Sequence, residues 1–175
     1  MEPAALGMVL FLVSEVMFFG ALFAGYFYLR GRTAPWPPTD IRLEVWEPAV
    51  ATLVLVLSSG TLQLAERAAT RGEGRRARML VLATVAMGVL FLASQVRTWV
   101  VDGFGIRTDA YGSMFTTMTG FHAIHVAVGL VLMTAVLPWF TGADSPRGGV
   151  VATVYYWHFV DAVWLAMFAT LFFVR

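Results

Sequence analysis

Five long apolar tracts run along this chain, separated by short stretches that hold nearly all of its charged residues. The tracts are Ala4 to Leu29, Pro48 to Ala65, Met79 to Val96, Met114 to Phe140 and Val150 to Val174. Crossing the hydrocarbon core of a bilayer takes about 20 apolar helical residues, and each tract meets or approaches that length. None shows the two-residue alternation of a membrane strand, so the pattern predicts helices. Pro48 suits the first turn of the second helix, where its missing N–H leaves no bond unmade. Tyr111-Gly112-Ser113 is the expected N-cap region of the fourth. Short connections make consecutive helices antiparallel neighbours. The expected fold is therefore an all-α membrane protein, a bundle of five transmembrane helices forming one domain over residues 1–175. The longest connection, Arg30 to Glu47, is rich in Pro, Trp and charge and is placed at a membrane surface.

Composition agrees with this pattern and narrows the chemistry. Hydrophobic residues make up 59% of the 175 and charged residues 13%, against about 45–50% and about 25% in soluble domains. A net charge of +1 gives no electrostatic case for nucleic-acid binding. Cysteine is absent, which removes disulfides, thiolate metal sites, covalent haem attachment by Cys and cysteine nucleophiles together. All 12 basic residues are Arg, read here as a compositional bias. The opening Met1-Glu2-Pro3 is acidic where a signal peptide is basic, so the first tract is expected to be a mature helix.

Charge also bears on orientation. Arg67, Arg71, Arg75, Arg76, Arg78 and Arg147 fall on one side of the predicted bundle. Arg30, Arg32, Arg42, Arg97, Arg107 and Arg175 fall on the other, a tie by number. The compact cluster Arg67 to Arg78 breaks it: the positive-inside rule then puts the second connection and the N-terminus in the cytoplasm.

Ionisable groups inside a membrane helix are expensive, so each calls for a reason. Glu15 lies in mid-span among Phe11, Leu12, Phe18 and Phe19. It is read either as a carboxylic acid bonded to a neighbouring helix or as a proton-exchanging or lipid-contacting site. His122 and His125 are three apart and so lie near one another on the fourth helix, a spacing that His158 and Asp161 repeat on the fifth. Together with Glu15 or Asp161 these imidazoles are chemically adequate for zinc or iron. The favoured reading is nevertheless an intramembrane polar network of His122, His125, His158, Asp161 and Gln95, in which the side chains bond between helices, with no metal. Gln63, Gln95 and Arg97 lie near span ends, where they reach the interface or lipid headgroups. Trp36, Trp46, Trp99 and Trp139 sit at span boundaries, as an interfacial belt requires. The small pairs Ala21/Gly25 and Ala123/Ala127 suit close helix packing.

Longer segments carry a resemblance. Gly7-Met8-Val9-Leu10-Phe11-Leu12-Val13-Ser14-Glu15-Val16-Met17-Phe18-Phe19 resembles the glutamate-bearing helix of the cytochrome c oxidase subunit III family. Trp36-Pro37-Pro38 and Ser59-Gly60 match the loop and helix that follow it. Tyr111-Gly112-Ser113 and Gly120-Phe121-His122-Ala123-Ile124-His125-Val126 resemble the family's Gly-Phe-His-x-x-His-Val element. Tyr156-Trp157-His158-Phe159-Val160-Asp161-Ala162-Val163-Trp164-Leu165 is similar to its C-terminal signature. These matches occur in order across nearly the whole chain. Two segments depart from the pattern: Gln95-Val96-Arg97-Thr98-Trp99, where relatives carry Gln-x-x-Glu-Tyr, and the region of Glu66 and Arg67, where relatives carry histidines. No role is carried over to them.

The resemblance implies a short five-helix bacterial form of subunit III, without the two helices that precede this point in seven-helix members. It implies a non-catalytic subunit of a haem–copper terminal oxidase in the bacterial cytoplasmic membrane, part of the respiratory chain that reduces O2 to water. Such a subunit binds no cofactor itself, haem and copper lying in partner subunits. It packs chiefly against catalytic subunit I, with subunit II and a small subunit IV nearby. It stabilises the oxidase, supports proton uptake and binds phospholipids, for which Arg67 and Arg97 are the headgroup candidates. Glu15 corresponds to the family's carbodiimide-reactive glutamate. Competing expectations are a subunit-III-like accessory protein of a nitric oxide reductase and an autonomous proton-coupled transporter. The transporter is disfavoured by the lack of an inverted repeat or a Gly/Pro-interrupted helix pair. A di-metal oxygenase is disfavoured by the scarcity of ligands.

Overall fold

The computed structural model describes residues 3–38, 44–101, 105–140 and 147–174. Five helices account for most of them: α1 (Pro3–Arg30), α2 (Trp46–Thr70), α3 (Gly74–Val101), α4 (Ala110–Val136) and α5 (Arg147–Phe168). A 3₁₀ turn, Leu137–Phe140, prolongs α4, and a π-type turn, Ala169–Phe173, prolongs α5. All five are long and apolar enough to cross a membrane. Residues Met1, Glu2, Arg42 and Arg175, which entered the sequence reading, lie outside the described residues.

The helices outrun the apolar tracts. At 1.5 Å per residue, the 28 residues of α3 reach roughly 42 Å, well beyond a hydrocarbon core of about 30 Å. The surplus is charged. Arg75, Arg76 and Arg78, expected in a loop, ride on the first turns of α3, because helical hydrogen bonding continues where the apolar pattern stops. The turn between α2 and α3 is correspondingly tight. Gly72 takes φ +77°, Gly72 N–H donates to Ala69 O at 3.1 Å and Glu73 N–H to Ala68 O at 2.9 Å. This pair of bonds is a Schellman cap, which a left-handed glycine permits. The N-cap of α4 is Asp109 rather than Tyr111-Gly112-Ser113: its Oδ1 accepts from Gly112 N–H at 2.7 Å.

Helix α5 is the hub. It packs on α1, α2 and α4, while α2 and α3 form the most extensive pair. Half of α5's apolar window is buried, against 6% of α1's, which places α1 at the flank. The indole of Trp157 on α5 lies fully buried against Gly88 of α3 and Gly129 of α4. A methyl group built at Gly129 would come within 2.7 Å of that ring, and one at Gly88 within 2.9 Å. These two glycines let the indole of α5 lie directly against the backbones of α3 and α4. In hydrocarbon, close packing and interhelical bonds replace the missing hydrophobic drive between helices.

Polar side chains tie the helices at fixed heights. Trp157 Nε1 donates to Ser58 Oγ at 3.0 Å and Trp164 Nε1 to Thr52 Oγ1 at 2.9 Å, both from α5 to α2. Trp99 Nε1 on α3 donates to Thr119 Oγ1 on α4 at 3.0 Å. The last carbonyls of a helix have no intrahelical donor. At the end of α5, Tyr26 and Tyr111 hydroxyls donate to Thr170 O and Leu171 O. Trp36 in turn donates to the Tyr26 hydroxyl at 3.1 Å. Trp36 and Trp99 are thus held by the bundle, whereas Trp46 stands 76% exposed, as a belt residue would.

Candidate functional site

The expected polar residues separate into two units and one isolated ring. His122 and His125 differ by about 60° around the helix axis, and that rotation gives them different surroundings. His125 turns toward α1, where its Nε2 meets Glu15 Oε2 at 3.0 Å. Its Nδ1 lies 2.7 Å from Phe121 O. A carbonyl only accepts, so Nδ1 carries a hydrogen and donates it. The Nε2–Oε2 contact then contains one proton, held either by the imidazole as a cation or by the carboxyl as an acid. Both side chains are partly buried, at 15% and 17% exposure, with Phe18 and Phe19 packed on the imidazole. Tyr156 Oη donates to His125 O at 3.0 Å, which adds α5 to the junction.

His122 points into the bundle and is fully buried. It lies against Trp164, ring centroids 5.0 Å apart, and meets Phe91 edge-on. Neither ring nitrogen has a hydrogen-bond partner among the described residues. The expectation that every intramembrane histidine bonds across helices therefore does not hold here. Aromatic neighbours fill the space that a polar partner needs.

The second unit joins α2 to α5. Ser59 Oγ contacts His158 Nδ1 at 3.0 Å and also bonds Asp161 Oδ2. His158 Nε2 faces Gln63 Oε1 at 3.4 Å, and Gln63 Nε2 donates to Glu66 Oε2 at 2.8 Å. Asp161 is buried at 5% exposure, and its Oδ1 has no partner among the described residues. Sequence reading assigned Gln63 to the interface, gave Glu66 no role and noticed Ser59 only within a resemblance. A usable signal was present: Ser59, Gln63 and Glu66 recur at i, i+4 and i+7, one face of α2.

The remaining candidates lie apart from both units. Gln95 is buried and lines a small cleft with Glu47, Ser94, Thr98 and Trp164. Arg97, on the last turns of α3, forms an ion pair with Glu47 at the start of α2. Both residues line a mostly apolar groove of about 340 Å³ together with Trp46, Val50, Val54, Leu90 and Phe91. Arg67 projects from the last turn of α2. Among the described residues, no three His, Cys, Asp or Glu side chains converge as metal ligands would.

Comparison with known proteins gives this arrangement a family. The model of "Cytochrome c oxidase subunit III" matches residues 1–175. A cytochrome c oxidase subunit 3 of Thermostichus vulcanus is 37% identical over 172 residues, covering 95% of this chain and 85% of that protein. A probable cytochrome c oxidase subunit 3 of Mycobacterium bovis is 39% identical, and one of Nocardia farcinica 40%, each over 98% of this chain and 88% of its own length. With a family match over residues 1–175, relatives 37–40% identical over most of their length and five helices able to span a membrane, the chain belongs to the cytochrome c oxidase subunit III family of non-catalytic haem–copper oxidase subunits.

Proposed function

We propose that this chain stabilises the catalytic subunit of a terminal oxidase during turnover and supports its proton uptake through the Glu15–His125 pair. The observation that carries the reading is the 3.0 Å contact between Glu15 Oε2 and His125 Nε2, beside a His125 Nδ1 that faces Phe121 O at 2.7 Å. A proton that can rest on either of two partners moves between them without placing net charge in hydrocarbon, and whichever partner faces the uptake route can exchange it. Glu15 is also the carboxyl that a lipid-soluble carbodiimide reaches first. It sits on flanking α1, whose Leu6, Leu10, Val13 and Met17 form an exposed apolar stripe. That stripe fits against catalytic subunit I. Subunit II and a small subunit IV complete the assembly, and haem and copper belong to the partners. Phospholipid headgroups meet Arg67 and Arg97, the latter lining an apolar groove. The chain lies in a bacterial cytoplasmic membrane with its N-terminus cytoplasmic, which puts the arginines flanking the α2–α3 turn on the side the positive-inside rule favours.

The test is purification from membranes in mild detergent, with an optical spectrum of what accompanies the chain. Haem–copper oxidase absorption is expected, and Glu15→Gln should leave assembly and the initial rate of oxygen reduction intact while shortening activity over many turnovers. A nitric oxide reductase in the pull-down, or immediate loss of oxygen reduction in the assembled variant, overturns it.

A further inference from the structure

We infer that Asp161, Ser59 and His158 form a second proton-holding site in this chain, in which one proton is shared across the serine hydroxyl between a carboxyl group and an imidazole. The argument counts donors and acceptors. Gln63 Nε2 donates to Glu66 Oε2, so its Oε1 faces His158. An amide oxygen only accepts, and His158 Nε2 therefore carries a hydrogen. His158 Nδ1 and Asp161 Oδ2 then both address the one Ser59 hydroxyl, which has a single hydrogen to give.

Two arrangements satisfy the three atoms that meet here, Asp161 Oδ2, Ser59 Oγ and His158 Nδ1. In the first, Asp161 is the neutral acid and its O–H donates to Ser59 Oγ, while the serine hydrogen points to an unprotonated Nδ1. In the second, the serine hydrogen points to an Asp161 carboxylate, and Nδ1–H of an imidazolium donates to Ser59 Oγ. Passing between them breaks the Asp161 O–H and the original Ser59 O–H bonds and forms a new Ser59 O–H and a Nδ1–H bond. The serine ends as it began, one proton has moved from Asp161 to His158, and the unit stays neutral overall. Chains of this kind polarise one another in a low-dielectric interior.

Position gives the site a direction. Asp161 and Ser59 lie in mid-span, whereas Glu66 is one turn from the end of α2. The seven residues between Ser59 and Glu66 cover roughly 10 Å along the helix. Gln63 and Glu66 thus extend the bonded line toward the arginine-rich α2–α3 turn, fixing the imidazole's tautomer from that side. Glu66 is the charged group of α2 facing the unit. On α1 and α4, Glu15 and His125 satisfy each other, and His122 is enclosed by Trp164 and Phe91. The site rests on this chain's own side chains and does not depend on the oxidase reading.

The experiment uses the intact complex containing this chain, labelled with ¹³C at aspartate carboxyls and ¹⁵N in histidine rings. The infrared carboxylic-acid band lost in Asp161→Asn gives the protonated fraction of Asp161. Solid-state NMR gives the doubly protonated fraction of His158, assigned by its loss in His158→Gln. These fractions should sum to one near neutral pH and change reciprocally as conditions vary. Ser59→Ala should abolish the reciprocity, and Ser59→Thr, which keeps the hydroxyl, should retain it. A wild-type sum of zero or two, or reciprocity that survives Ser59→Ala, overturns the inference.

Discussion

Placing a methyl group at Gly129 tests how the bundle holds its polar units in register. A Cβ there meets Trp157 Cε3 at 2.7 Å, Cζ3 at 2.9 Å and Tyr156 Cε1 at 3.3 Å. The indole cannot swing aside as a leucine would. It is fully buried, pinned to Ser58 Oγ through Nε1 and closed on its far side by Gly88. Relief therefore requires α5 to separate from α4, and overpacking of this kind costs about 1–3 kcal/mol. That corresponds to about a 5- to 150-fold fall in the folded-to-unfolded ratio. The control is Gly120→Ala on the same helix, where no atom lies within 4 Å of the added methyl. There the lower entropy of alanine should leave stability level or raise it by up to about 1 kcal/mol. Denaturation in mixed micelles, followed by tryptophan fluorescence, should show Gly129→Ala unfolding at a lower fraction of denaturing detergent than Gly120→Ala. Trimming the indole in Gly129→Ala/Trp157→Phe should make the two changes less than additive. Equal unfolding of the two alanine variants, or strict additivity in the double variant, would refute the close approach as the cause.

Other outcomes follow from the same contacts. Lipid-soluble carbodiimide should label Glu15, which sits on the flank at 17% exposure, well before Asp161 inside the bundle; peptide mapping that finds Asp161 first would reverse their placement. Asp161→Leu leaves Ser59 and His158 without their third member, and co-purification with the catalytic subunit should weaken by about 0.5–2 kcal/mol. Trp99→Phe removes the bond to Thr119 and should cost about 0.6 kcal/mol in the same micelle assay. Elemental analysis and an optical spectrum of the purified chain should find no stoichiometric zinc, copper or haem.

Helix number and order were legible in the one-dimensional pattern because lipid demands it. A chain crossing hydrocarbon satisfies its backbone within each helix, so apolar length alone marks a span. The family was legible too, since its motifs are contiguous in the chain. Helix ends were not, because intrahelical bonds carry α2 and α3 past the apolar tracts into charged residues. Pairing was beyond the sequence for a different reason. His122 and His125 look equivalent in a Gly-Phe-His-x-x-His-Val string, yet about 60° of rotation gives one to Glu15 and the other to Trp164 and Phe91. Ser59, the atom on which the second unit turns, is an ordinary small residue until α5 brings His158 and Asp161 alongside it. Composition and order fix what a bilayer will accept. Which polar atoms meet depends on helix rotation and height, and those follow from contacts between residues far apart in the chain, such as Trp157 seated on two glycines and the indole bonds to Ser58, Thr52 and Thr119.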